Sequence, residues 1–273
     1  MNLISFDPLR TLSLPGVSTI KPEHFFKFAD RIRSADWILF PEYWQVSALV
    51  FGLKRRIFPS LASYLLGHDK VEMTRGFLSV APRHVPETQI LAVSPENGER
   101  VWEQMTIPFV AKIPRSSMGS GVFLIETRAA WRTYLDRTPV IYAQELLPID
   151  RDLRIVSVGH RIMGGFWRCR SDRGFHNNLS QGGRIDFSPV PEAALALVGR
   201  LTGELGINHG GFDIAMVGNH PYVLEFNRLF GSHSLNLYRD AISRTILDTL
   251  IAETDIRGPD TPITPTPILP KAA

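Results

Sequence analysis

The sequence predicts an α+β protein. Short strand-like runs come in adjacent pairs joined by turn residues, and helix-periodic stretches stand apart from them. Leu153 to Val158 and Arg161 to Trp167 flank the turn dipeptide Gly159-His160, and Phe212 to Asn227 folds back on itself around Gly218-Asn219-His220. The helical stretches are clearest in the last third. Glu192 to Leu205 is closed by Gly206 as a C-cap. In Tyr238 to Ala252 the apolar residues Ala241, Ile242, Ile246, Leu247, Leu250 and Ile251 recur at helical spacing.

From the N-terminus, Trp37 to Phe40 reads as a strand and Trp44 to Leu53 as a helix. Phe109 to Ile113 and Val122 to Ile125 are short strands separated by a Gly/Ser-rich connection. Arg128 to Leu135 follows as a helix and Val140 to Leu147 as a buried strand. Arg170 to Pro191 is polar and Gly-rich, which predicts a long loop, and the Pro/Thr-rich end of the chain has too little apolar material to fold.

The bulk numbers bound the function classes. At 273 residues with 44% hydrophobic and 21% charged residues, the chain has the composition of an ordinary globular protein. A net charge of +3 makes no case for nucleic acid. Cys169 is the only cysteine, and no apolar run is long enough for a membrane span, so a cytoplasmic protein without membrane contact is expected. Neither a Gly-x-Ser-x-Gly nucleophile elbow nor a Gly-x-Gly-x-x-Gly dinucleotide fingerprint occurs.

The chemistry concentrates in a few segments. A three-residue loop in the hairpin sets Phe212 against Phe226, Ile214 against Leu224 and Met216 against Tyr222, which makes one face wholly apolar. The other face then holds Asp213 directly opposite Glu225, with Asn227 two residues on. Opposed carboxylates, with Cβ atoms roughly 4.5–5.5 Å apart, repel one another but suit a hard divalent cation such as Mg²⁺. A solvated hairpin carrying two unrelated acids is the other reading of this segment alone. Lys112 closes a strand ahead of Pro114-Arg-Ser-Ser-Met-Gly-Ser-Gly121, which can bring an ammonium and backbone N–H groups onto phosphate. No Gly-Lys-Ser/Thr makes it a Walker A motif, and a plain hairpin loop explains the glycines equally well. Gln144 to Arg154 runs from an apolar strand into mixed acids and arginines, readable as a hinge beside a charged cleft or as surface ion pairs. The loop from Arg168 to Gly183 is rich in donors that would suit phosphate or carboxylate, and no Cys/His spacing suggests zinc.

Taken in order, these segments resemble the ATP-grasp superfamily, and most of all its RimK-type glutamate ligase branch, from about His68 to Leu250. The matching motifs are His68-Asp69-Lys70, Pro86-Glu87-Thr88, Val110-Ala111-Lys112 with its loop, and Gln144-Glu145. They continue through Asp152-Leu153-Arg154, Arg168, Asn178-Leu179 with Gly182-Gly183, Gly211-Phe212-Asp213 and Glu225-Phe226-Asn227. The resemblance implies an ATP-grasp fold, two α+β lobes clasping nucleotide, after a shortened N-terminal α/β domain. The implied division is 1–66, a central lobe 67–146, a C-terminal lobe 147–255 and a flexible tail 256–273. It further implies that Lys70, Lys112, Ser117 and Gly119 contact the ATP phosphates. Glu145 and Leu146 are expected at adenine, Asp152 near the ribose, and His176, Asn177 and Asn178 on the nucleotide. Asp213, Glu225 and Asn227 would hold Mg²⁺, and Arg154 and Arg168 would face the reacting phosphate and acyl phosphate as catalytic groups.

The activity implied is ATP-dependent ligation of a carboxylate to an amine through an acyl phosphate, with amino-acid or peptide substrates and a homodimer as in relatives. An ATP-binding regulator without ligase activity is the alternative, and a kinase-like member the third reading. Two local departures stand out: His176 where arginine is common, and Asn227-Arg228-Leu229-Phe230-Gly231 without the usual proline before glycine.

Overall fold

The computed structural model describes residues 1–116, 121–169, 184–231 and 236–256. These fall into two compact units, one of Met1–Leu61 with the described residues from Arg239, the other of Ala62–Tyr238.

The first unit holds a parallel sheet. Strands β1 (Leu3–Ser5), β2 (Val17–Thr19), β3 (Trp37–Leu39) and β4 (Arg56–Phe58) lie in the order β2-β1-β3-β4. Ile4, Ile38, Leu39 and Phe58 are fully buried, as parallel strands covered on both faces require. The helix expected over Trp44 to Leu53 is instead a short α-helix, α2 (Tyr43–Ser47), running into a π-helical turn over Ala48–Gly52. It follows α1 (Ala29–Arg33). The C-terminal helix, numbered α8 (Arg239–Ile256), buries Ile242, Ile246 and Leu250. Its Thr254 hydroxyl accepts a 2.9 Å hydrogen bond from the Trp37 indole.

The second unit is built on two antiparallel sheets. After α3 (Leu61–Leu66) and α4 (Lys70–Val80), β5 (Thr88–Ala92), β6 (Phe109–Lys112), β7 (Val122–Ile125) and β8 (Val140–Glu145) form a sheet in the order β5-β8-β6-β7. Helices α5 (Pro95–Gln104) and α6 (Arg128–Leu135) supply Val101, Trp131 and Tyr134 to its core, against Phe109, Ala111, Ile141 and Ala143. Because strand side chains alternate, Val110, Lys112, Tyr142 and Gln144 project from the other face.

The larger sheet contains β9 (Arg151–Val158), β10 (Arg161–Cys169), β11 (Arg184–Asp186), β12 (His209–Val217) and β13 (His220–Asn227) in the order β11-β10-β9-β12-β13. One face carries Leu153, Ile155, Trp167, Phe212, Ile214, Val223 and Phe226. These pack on Met73 and Phe77 of α4 and on Ala194, Leu197, Val198 and Leu201 of α7 (Glu192–Leu205). Gly206 ends α7 with φ +68, the left-handed cap that glycine adopts without strain.

Three local expectations are corrected. Arg184–Asp186, inside the segment predicted as loop, pairs with β10 as a short edge strand, with Arg184 exposed and Asp186 accepting a 3.2 Å hydrogen bond from Arg151 of β9. Arg168 is not a loop residue: it lies within β10 and is buried. In the hairpin, Phe212 does face Phe226 and Asp213 does face Glu225, but a bulge at Leu224 shifts the rest. Ile214 pairs with Val223 and Met216 with Pro221, and the turn is the two residues Gly218-Asn219. Gly218, at φ +59, forms the turn that suits twisted strands, and the bulge absorbs the extra residue. Of the tail expected over 256–273, residue 256 ends α8 and the rest lies outside the described residues.

Candidate active site

The polar face of the large sheet presents a row of charges across four strands. Asp152 on β9 pairs with Arg168 on β10, while Arg154 on β9 and Glu225 on β13 flank Asp213 on β12 from either side. Strand alternation puts all of them opposite the apolar residues already placed.

Arg168 donates from Nε and Nη2 to the two oxygens of Asp152 at 2.7 and 2.8 Å, and its Nη2 lies 3.0 Å from Asp213 Oδ2. Arg154 donates from Nη1 to the Gly211 carbonyl at 2.8 Å and sets Nε 3.1 Å from Asp213 Oδ1. That last contact is close without being aligned, so buried Asp213 Oδ1 accepts no hydrogen bond. Gly211 makes room for this arrangement: a Cβ there would meet Arg154 Nη1 at 2.8 Å and Phe230 Cβ at 2.9 Å.

Glu225 faces the lysines. Its Oε2 lies 3.7 Å from Lys70 Nζ, and its Oε1 accepts a 3.4 Å bond from Asn227. Lys70 begins α4, where the Asp69 carboxylate caps the Val71 N–H, and its ammonium donates to the Ser116 carbonyl at 2.7 Å. Lys112, buried at the end of β6, donates to Gln144 Oε1 at 2.7 Å and lies 5.6 Å from the centroid of the Tyr142 ring. The Tyr142 hydroxyl shares a 2.7 Å hydrogen bond with Thr74 of α4, and Gln144 donates to Thr88 at 2.9 Å.

Burial sets the charge balance. It lowers the Lys112 ammonium to about 8, with Glu225 opposing the shift. For Glu225 itself burial pushes upward, but Lys70, Lys112 and Arg154 outweigh it and hold the carboxyl below its ordinary range. Burial raises Asp213 against the pull of Arg154 and Arg168. It disfavours the charge on Arg168 as well, yet Asp213 and Asp152 more than offset that and raise its pKa.

Of the residues singled out in the sequence, the structure gathers Lys70, Lys112, Asp152, Arg154, Arg168, Asp213, Glu225 and Asn227 into this network. Glu145 ends β8 and Leu146 follows it, and the Glu145 carboxylate accepts the Glu87 N–H at 2.8 Å while its own N–H donates to the Glu87 carbonyl at 2.9 Å. Ser117, Gly119, His176, Asn177 and Asn178 lie outside the described residues. Sequence reasoning missed the Gln144–Tyr142–Thr74 support beneath Lys112. Its one signal was a tyrosine and a glutamine on alternate positions of the Val140–Glu145 strand.

The residues fit a magnesium nucleotide. Among the described residues no three His, Cys, Asp or Glu side chains converge as a metal centre. A cation here would therefore rest on Asp213, Glu225 and the Asn227 amide, with phosphate and water completing its shell, the pattern typical of Mg²⁺. Asp213 Oδ1, which accepts no hydrogen bond, suits that role.

Two antiparallel sheets, one carrying buried Lys112 and the other paired acids and arginines, with Lys70 of α4 beside Glu225, define an ATP-grasp protein, in the class of ATP-dependent, ADP-forming ligases that join a carboxylate to an amine. The chain belongs to the RimK-like ATP-grasp family, whose domain model matches residues 68–249. It is 26% identical over 210 residues to a probable alpha-L-glutamate ligase of Sodalis glossinidius, covering 72% of this chain and 71% of that protein. It is 28% identical over 126 residues to the ribosomal protein bS6–L-glutamate ligase of Salmonella paratyphi B, covering 44% of this chain and 42%, less than half, of that protein. Among solved structures, the RimK-domain ATP-grasp protein of Sphaerobacter thermophilus aligns at TM-score 0.69 and 17% identity, covering 91% of this chain and 99% of that one. D-alanine–D-alanine ligase from Bacillus anthracis aligns at 0.68 and 13%, covering 95% and 99%. At these identities the structural matches speak for the fold.

Proposed function

We propose that the chain ligates an amino acid, with glutamate first in line, to an amine of a peptide or protein by way of an acyl phosphate. What carries this reading is the convergence of Lys70, Lys112, Arg154 and Arg168 on the Asp213–Glu225 pair. The names of relatives support the substrate class: one adds L-glutamate to ribosomal protein bS6, and a solved neighbour of the same fold is a macrocyclase bound with its precursor peptide.

Mg·ATP, when bound, supplies the phosphoryl group that makes a carboxylate oxygen a leaving group. A carboxylate oxygen of the substrate bonds to the γ-phosphorus as ADP leaves; the amine nitrogen then bonds to the acyl carbon as phosphate leaves and a proton is lost. Phosphoryl transfer needs charge neutralisation and alignment more than a protein nucleophile. Lys70 and Lys112 would hold phosphate oxygens; Asp213, Glu225 and Asn227 would hold Mg²⁺; Arg154 and Arg168 would face the reacting carboxyl and γ-phosphate. Among the described residues no helix is long and apolar enough to cross a membrane, and a cytoplasmic site of action accords with that.

The test is ADP release from Mg·ATP with candidate amino acids and peptides. Release that requires both an acid and an amine supports the proposal, whereas ADP release that yields a phosphorylated acid and no amide even with the amine present would refute ligation.

A further inference from the structure

The first unit carries a hollow to which the nucleotide network contributes no residue. It measures about 110 Å³ and is lined by Asp36, Lys54, Arg55, Arg56 and Thr254, all of the unit formed by Met1–Leu61 and the chain from Arg239. β3 and β4 run parallel with Trp37 opposite Arg56, so the residues that lead into the two strands meet at one end of the sheet. Lys54 turns the chain into β4 at φ +55, in the left-handed region that a residue with a side chain rarely adopts. Thr254 comes from α8, where its hydroxyl accepts the Trp37 indole N–H.

Arg55 is held in place without being neutralised. Its Nε donates to the Leu53 carbonyl at 3.0 Å and its Nη1 to the Ala35 carbonyl at 3.2 Å, which leaves Nη2 to a further acceptor. Among the described residues neither Lys54 nor Arg55 forms an ion pair. The Arg56 guanidinium lies 5.7 Å from the centroid of the Trp37 ring. Asp36 is the one acid of the lining, and its Oδ2 accepts the Asn2 N–H at 2.6 Å, which leaves Oδ1 to a donor. Three cations, a hydroxyl and one carboxylate suit a small anion that also has a proton to donate. Hydrogen phosphate and a phosphomonoester monoanion have both, anionic oxygens and a P–OH. Sulfate is of similar size and shape, but it has no proton for Asp36.

The geometry points to a phosphate site in this hollow: Arg55, with Lys54 and Arg56 beside it, donates to the anionic oxygens, and Asp36 Oδ1 accepts the P–OH.

Calorimetry of the full chain tests this, with the nucleotide site first filled by Mg²⁺ and a non-hydrolysable ATP analogue. Inorganic phosphate, phosphoserine and sulfate are each titrated into wild type, Arg55→Gln, Lys54→Gln and Asp36→Asn. Wild type should bind phosphate or phosphoserine, the tighter of the two marking whether the free or the esterified group is the ligand. Arg55→Gln should weaken that binding about tenfold or more, the scale of one charge-assisted hydrogen bond. Should Arg55→Gln fail to fold, Lys54→Gln, a change at an exposed side chain, is read against the same expectation. Asp36→Asn should erase most of the preference for phosphate over sulfate, because an amide can donate to either anion. Phosphate should also slow amide hydrogen exchange around Lys54 to Ile57 and at the end of α8, and leave the β12–β13 hairpin unchanged. Equal affinity of wild type for phosphate and sulfate, binding untouched by both Arg55→Gln and Lys54→Gln, protection confined to Ala62–Tyr238, or no binding at all would each overturn the assignment.

Discussion

Burial of Lys112 beside Gln144 and over Tyr142 makes the charge of this site depend on pH. Its folded pKa of about 8 lies below the unfolded value of 10.5, so between those values the unfolded chain binds more protons than the native one. Stability of the free protein therefore rises with pH across that window, and below pH 8 the buried ammonium costs about 3 kcal/mol. Lys112→Met, similar in length and uncharged, is predicted to raise the thermal midpoint of the nucleotide-free protein at pH 7 and to weaken Mg·ATP binding. The stability gain should vanish above about pH 10.5; a gain that persists there would show that charge is not its source. Asp213 and Glu225 should separate in the same assay. Asp213 neutralises two buried guanidiniums, so Asp213→Asn leaves both underpaired and is predicted to cost about 3–5 kcal/mol, on the order of 10 °C. Glu225 meets Lys70 at a loose 3.7 Å, and Glu225→Gln should cost much less while abolishing the Mg²⁺ dependence of ATP binding. Comparable losses from the two variants would contradict this division of labour.

The β12–β13 hairpin shows what a strand pattern reveals and what it conceals. A period of two places Asp213 and Glu225 on one face whatever happens farther along, and the apolar pair Phe212 and Phe226 pins the register where the acids lie. The bulge was hidden because Leu224 and Val223 are equally apolar, so no polar residue marked the shift. Arg168 was misplaced for a related reason: an arginine ahead of a polar stretch looks like loop, and only its partners on β9 and β12 explain how a strand can bury it. Helix α7 was legible to both ends, since its period, its start after Pro191 and its glycine cap agree. Glycine separates support of the site from helix propensity. Gly211→Ala is predicted to displace Arg154 and to destabilise by about 1–3 kcal/mol, because its Cβ would lie 2.8 Å from Nη1. Gly199 and Gly203, on exposed turns of α7 with nothing within 4 Å, should each gain roughly 0.5–1 kcal/mol when changed to alanine. Thermal unfolding checks both signs, and a neutral Gly211→Ala would remove the steric account of how Arg154 is held.

At the scale of the whole chain, α8 belongs with the first 61 residues, a partnership that chain order conceals because 177 residues of the other unit intervene. Its apolar stripe announces a buried face but not which sheet it covers; the Trp37–Thr254 hydrogen bond shows it. Every described residue assigned to nucleotide or metal lies in the unit Ala62–Tyr238. A ligand that binds only the native form stabilises what it touches, by about 2.7 kcal/mol at 100 times its dissociation constant. Chains with separately compact units need not unfold in one step. Mg·ATP is therefore predicted to slow amide hydrogen exchange in α4, in β6 and in the β12–β13 hairpin, and to leave β1 to β4 and α8 little changed. Calorimetry should then show a ligand-dependent transition, with any transition of the first unit near its original temperature. Equal protection across β1 to β4 would mean that the parallel-sheet unit takes part in nucleotide binding, and the assignment of the whole site to residues 62–238 would fall.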